Sequence, residues 1–216
     1  MSASPKSVLL LGATGLVGGE CLKLLATDAA FERVVVLTRK PFPYSTSLRV
    51  ESHQFIFDEP TSFTTYLNVD SVICAIGTTI KKAGSQDAFR KVDFEYPLIF
   101  AKLALEAGAQ HFLLVSSAGA NAKSRVFYSR VKGEIEAAIS NLNYPALSIF
   151  RPSLLRGHRA EFRFGEFVCQ KILGPLGFLM PRSVRPLQAS QVAKMIVKIA
   201  QSNATGVRLV TNEDML

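Results

Sequence analysis

Three glycines at fixed spacing, Gly12, Gly15 and Gly18, follow directly on Ser7-Val-Leu-Leu-Leu11, an apolar run of strand length. After them, Glu20-Cys-Leu-Lys-Leu-Leu25 carries apolar side chains at helical spacing. A strand, a tight turn and a helix in that order restrict the fold more than any other feature of the chain. One glycine opens backbone angles closed to other residues, one lets the chain approach a pyrophosphate, and one lets the helix pack close to the strand. The free N–H groups at the helix start then face a phosphate charge.

The same alternation continues to the end of the chain. Strand patterns cover residues 33–40, 52–57, 70–77, 111–117, 147–152 and 207–211, and helical patterns cover 96–107, 128–139 and 189–201. This predicts an α/β fold: a doubly wound, mainly parallel Rossmann-type sheet with helices on both faces, in a single domain over residues 1–216. Ligands of such sheets lie beyond the carboxyl ends of the strands, where Gly12, Asp58, Gly77, Ser116, Ser117 and Pro152 fall.

Residues 154–186 depart from the alternation. Arg156, His158, Arg159, Arg163, Arg182 and Arg185 mix there with an apolar stretch broken by Gly174-Pro175 and Gly177. The expectation is a flap on the substrate side that also offers a surface to a protein partner; the alternative is a surface-packed helix pair.

The end of the second strand bears on the cofactor. An acid there would hold the ribose 2′-hydroxyl of NAD, whereas an arginine accommodates the 2′-phosphate of NADP(H). Arg39 and Lys40 occupy the position, which points to NADP(H); a solvated basic turn before Pro41 is the alternative. Asp58 either accepts from the adenine amino group or caps its strand before Glu59-Pro60.

Composition narrows the remaining classes. At 216 residues, 48% hydrophobic and 19% charged, the chain fits one domain with a sizeable core. The net charge of +8 and pI near 9.6 are compatible with nucleic acid, an anionic membrane surface or a polyanionic small molecule, and the charge alone does not choose among them. No basic tail and no basic–aromatic interleaving is present, so nucleic-acid binding is disfavoured. Cys21, Cys74 and Cys169 lie apart in apolar segments and read as reduced core residues; the histidines lack ligand spacing, so no metal is expected. The glycine turn interrupts the first apolar run, which argues against a secretory leader, and no run reaches the length of a membrane span. A soluble, cytoplasmic protein is expected, with homodimerisation left open.

Tyr128 and Lys132, four apart, share a helix face. For Tyr128 to exchange a proton near neutrality, its pKa must fall by about three units, roughly 4 kcal/mol, and a neighbouring ammonium favours the phenolate. Lys132 can also hold a nicotinamide ribose. Ser116 and Ser117 precede the tyrosine by twelve and eleven residues, and either can orient a carbonyl oxygen.

Taken together, Leu11-Gly-Ala-Thr-Gly-Leu-Val-Gly18, Leu37-Thr-Arg39, Leu114-Val-Ser-Ser-Ala-Gly119, Tyr128-Ser-Arg-Val-Lys-Gly-Glu134, Phe150-Arg-Pro-Ser153 and Arg163-Phe-Gly-Glu166 resemble the short-chain dehydrogenase/reductase family. The resemblance is to its small atypical NADPH-binding branch, of the Tat-interacting-protein type with its small bacterial relatives. It implies that Gly12, Thr14, Gly15, Leu16, Val17 and Gly18 form the pyrophosphate turn, and that Arg39 and Lys40 meet the 2′-phosphate. It further places Ala75, Ile76 and Gly77 beside the adenosine, and Leu155 and Arg163 near the cofactor. Tyr128 and Lys132 take the catalytic positions. The chain departs from the wider family in carrying Val92-Asp93-Phe94 where an asparagine is common; Asp93 is expected to serve another purpose, such as capping.

Two functions follow. One is an NADPH-dependent reductase acting on a carbonyl or similar small substrate through a Ser-Tyr-Lys site. The other is an NADPH-binding regulatory or assembly module that works through a protein or membrane surface with little turnover.

Overall fold

The computed structural model describes residues 6–41, 49–56, 59, 62–156 and 181–216. Its centre is a seven-stranded sheet in which every pairing is parallel. The strands are β1 (Lys6–Leu11), β2 (Phe31–Thr38), β3 (Val50–Gln54), β4 (Ser71–Cys74), β5 (His111–Val115), β6 (Ala146–Phe150) and β9 (Gly206–Val210), in the order β3-β2-β1-β4-β5-β6-β9. The direction of winding reverses between β1 and β4, and this is where open α/β sheets leave a crevice for a ligand. Two short strands, β7 (Leu155–Arg156) and β8 (Leu187–Gln188), pair separately and tie together the ends of the segment expected to be a flap. Most of that segment, with His158, Arg159, Arg163 and Cys169, lies outside the described residues, as does Asp58.

Alternation along each strand divides the core in two. Val8 and Leu10 face one layer with Val34, Val36, Ile73, Leu113 and Phe150, which α1 (Leu16–Leu25) and α6 (Ala189–Gln201) cover. Leu9 and Leu11 face the other with Val35, Leu37, Val72, Phe112 and Leu114, covered by α4 (Tyr96–Glu106) and α5 (Phe127–Ser140). Leu10 is sealed completely, so truncation to alanine costs about 2–5 kcal/mol. Cys21 and Cys74 are free thiols in these layers, their pKa values pushed up to about 12 and about 11 by burial.

Between β4 and α4 the chain forms α2 (Ile80–Ala83) and α3 (Gln86–Arg90), capped by the Thr79 and Ser85 hydroxyls, then a single π turn, Lys91–Glu95. Sequence periodicity did not announce these pieces. Pro97, at the start of α4, has no N–H for the carbonyl of residue 93, and the widened turn accommodates the missing bond. Among the described residues no helix is long and apolar enough to cross a membrane.

Candidate functional site

The turn after β1 closes with the Gly15 N–H donating to Gly12 O at 2.9 Å. Gly12 has φ +84°, and a Cβ there would lie 2.6 Å from the backbone carbonyl of Ala75, so the turn presses on the end of β4. A Cβ on Gly18 would lie 2.1 Å from Gly12 O, so α1 can cross this closely only without a side chain. Gly15 caps α1 from extended backbone without a side-chain bond, leaving the first helical N–H groups open to an anion. Thr14 is exposed on the turn, Leu16 is half-buried and Val17 is packed in the core.

At the end of β2, Arg39 and Lys40 are exposed, and neither forms an ion pair among the described residues. Their backbone is held: the Thr38 hydroxyl donates to Lys40 O at 2.7 Å, and Gln54 Nε2 donates to Arg39 O at 3.1 Å. Two cations therefore stand at the strand end with no acid between them.

Ala75, Ile76 and Gly77 continue from β4 into the same crevice. There the chain meets α5. Lys132 Nζ lies 2.7 Å from Asp93 Oδ1, with the two side chains only 6% and 1% exposed. Asp93 Oδ2 accepts the Thr78 N–H at 2.8 Å, so the π turn, the β4 end and the lysine are joined through one carboxylate. A Cβ on Gly77 would lie 3.4 Å from Asp93 Oδ1 and 3.9 Å from Lys132 Nζ, which gives the glycine its local reason. Burial opposes the lysine charge, but Asp93 and then Tyr128 outweigh it and hold the pKa above the ordinary lysine value. Asp93 does not cap a helix, as had been expected, since Thr79 caps α2 with its own hydroxyl; the carboxylate instead holds the Thr78 N–H and pairs with Lys132, which was not foreseen. An acid between Val92 and Phe94 was the available signal.

Tyr128 sits in the first turn of α5, half-buried, with its ring centroid 5.7 Å from that of Phe89. The helix start is held by the loop before it. Asn121 N–H donates to Ser129 O at 2.9 Å, and Gly133 lets that loop touch the helix, since a Cβ would lie 2.1 Å from Ala122 N. Arg90 on α3 pairs with Glu134 and fixes the helix from the other side.

The two serines after β5 differ. Ser116 Oγ donates to Glu136, whose carboxylate also receives Arg151 Nε at 3.0 Å, so that hydroxyl is committed to a structural network. Ser117 Oγ is buried and has no partner. Glu136 continues the Tyr128 and Lys132 face at the next four-residue step, and this spacing is the signal that could have located the network. Leu155, on β7, is half-buried beyond the end of β6. Asp58 and Arg163 lie outside the described residues.

Residues 8–144 match the NAD dependent epimerase/dehydratase family. The chain is similar to Protein FMP52, mitochondrial, of Lodderomyces elongisporus, with 36% identity over 93% of this chain and 89% of that one. It is likewise 36% identical to Protein HTATIP2 of Rattus norvegicus over 79% of this chain and 72% of that protein. Among solved structures, MoeE5 in complex with UDP-glucose and NAD superposes with a TM-score of 0.71 at 13% identity, over 95% of this chain and 76% of that one, a likeness of fold alone. The cytoplasmic expectation is corrected: the FMP52 relatives of Lodderomyces elongisporus, Candida albicans and Emericella nidulans are all named mitochondrial. Absence of a leader-like apolar run is no guide to compartment for this kind of chain.

Proposed function

The chain belongs to the NAD dependent epimerase/dehydratase family, and on that premise we propose that it is an NADPH-dependent oxidoreductase of a small carbonyl substrate. The observation that carries this reading is the convergence of Gly77, Asp93 and Lys132: the strand end that lines the nucleotide crevice and the helix bearing Tyr128 meet at one buried point. The residues suit the cofactor. The uncapped start of α1 is complementary to a pyrophosphate, and the exposed Arg39 and Lys40 to a 2′-phosphate.

The nicotinamide group supplies or accepts a hydride when bound. Ser117 Oγ, free of other partners, donates to the substrate carbonyl oxygen and orients it. The Tyr128 hydroxyl gives that oxygen its proton, and the cation of Lys132 favours the phenolate left behind. Asp93 fixes the lysine amine while neutralising part of its charge. That neutralisation favours a second reading, a cofactor-binding module with little turnover that acts through a partner.

Calorimetric titration with NADPH and NADH, followed by a carbonyl panel and nicotinamide absorbance, tests the reading. NADPH preference that Arg39→Asp reverses, with consumption that Tyr128→Phe abolishes, is the expected result. Tight binding without consumption across the panel would leave the module, and no binding would end both.

A further inference from the structure

Two buried donors without partners stand on adjoining segments at the carboxyl end of the sheet: Ser117 Oγ and Arg156 Nε. The segments run side by side, because Ser116 N–H donates to Phe150 O at 2.8 Å and Ala118 N–H donates to Pro152 O at 2.9 Å. The backbone leading to the arginine is held firmly. Ser153 N–H donates to Asn212 Oδ1 at 2.7 Å, Leu187 N–H donates to Leu154 O at 2.9 Å, and Arg156 is in register with Gln188 across the β7–β8 pair.

An arginine stays charged at any ordinary pH, and a buried donor left unpaired is unfavourable, more so when it is charged. Other arginines of the chain avoid that cost. Arg151 pairs with Glu136, Arg90 with Glu134 and Arg33 with Glu51. Among the described residues Arg156 has no such acid, and residues 151–156 and 181–188 contain four arginines and no aspartate or glutamate. An orphaned buried guanidinium N–H and an orphaned hydroxyl on adjoining segments are the donor set for a molecule that brings both an anion and a carbonyl oxygen.

We infer that Arg156 binds an acidic group, a carboxylate or phosphate, of the substrate to whose carbonyl oxygen the Ser117 hydroxyl donates. The inference rests on the reductase reading and narrows it to anionic carbonyl compounds. Arg156 forms a charge-assisted bond to the anion, and an uncharged analogue leaves that N–H buried and unmatched.

The test uses the full chain loaded with NADPH, titrated with oxamate, its uncharged counterpart methyl oxamate, and inorganic phosphate. Wild type, Arg156→Gln and Arg156→Lys are compared, with melting temperature as the check on folding. Oxamate or phosphate is expected to bind wild type, methyl oxamate to bind at least tenfold more weakly than oxamate, and Arg156→Gln to lose the anion at least tenfold with NADPH affinity unchanged. Partial recovery in Arg156→Lys supports the same conclusion should the glutamine variant fold poorly. Equal anion binding by wild type and both variants overturns the inference, as does NADPH binding with no anion binding. If the arginine variants weaken NADPH instead, Arg156 serves the cofactor phosphates and the inference falls while the reductase reading stands. Failure of wild type to bind NADPH overturns that reading itself.

Discussion

Lys132 Nζ lies 2.7 Å from Asp93 Oδ1, across 39 residues of sequence and almost wholly out of contact with water. The pair joins the helix bearing Tyr128 to the turn at the end of β4. It is therefore both an anchor of the fold and a determinant of the field around Tyr128.

Breaking such a pair from one side leaves an uncompensated buried charge and costs about 3–5 kcal/mol. Asp93→Ala and Lys132→Met are each expected to lose stability in that range in urea denaturation. The double variant should lose less than the sum of the two. Strict additivity would show that the two charges do not interact.

The serines are expected to separate. Ser117→Ala should lower kcat about 100-fold, the scale for removing one donor to a reacting oxygen, with the melting temperature unchanged. Ser116→Ala should cost about 1 kcal/mol of stability through its bond to Glu136 and leave kcat nearly intact. Steady-state kinetics beside thermal melts decide the matter, and the reverse pattern would exchange the two roles.

Gly133→Ala would place a Cβ 2.1 Å from Ala122 N and 2.3 Å from the Asn121 carbonyl carbon, both backbone atoms that cannot swing aside. Overpacking of this kind costs about 1–3 kcal/mol. For a chain of this length a melting temperature lower by roughly 2–12 °C is expected. An unchanged melt would mean that the 121–122 loop can leave the helix freely.

His111 is buried against the Ser148 hydroxyl at 2.9 Å, and burial, aided by Lys6, pulls its pKa down to about 4. The unfolded chain takes up that proton near pH 6.5, while the folded chain does not until about 4. The stabilisation is complete above pH 6.5 and is lost as pH falls toward 4, at up to about 1.4 kcal/mol per unit. Urea midpoints from pH 7 to 4.5 should fall more steeply for wild type than for His111→Gln. Parallel curves would contradict the shift.

Much of the scaffold was legible in advance. The glycine turn, the parallel sheet and the Tyr128–Lys132 face appear where spacing put them, because backbone sterics and apolar periodicity act over a few residues. The helices and π turn between β4 and α4 were not, since caps at Thr79 and Ser85 and a proline-induced widening leave little periodic trace.

The sequence by itself determined the strand–turn–helix start, the period-two strands that divide Val8 and Leu10 from Leu9 and Leu11, and the four-residue step from Tyr128 to Lys132. Only the tertiary structure decided that Asp93 meets Lys132, that Ser116 is bound to Glu136 while Ser117 Oγ is without a partner, and that Arg156 Nε is buried with no partner among the described residues. The physical reason is range. Local rules set which face a side chain occupies, but whether a buried polar atom finds a partner depends on distant segments brought into contact by the packing of the whole core.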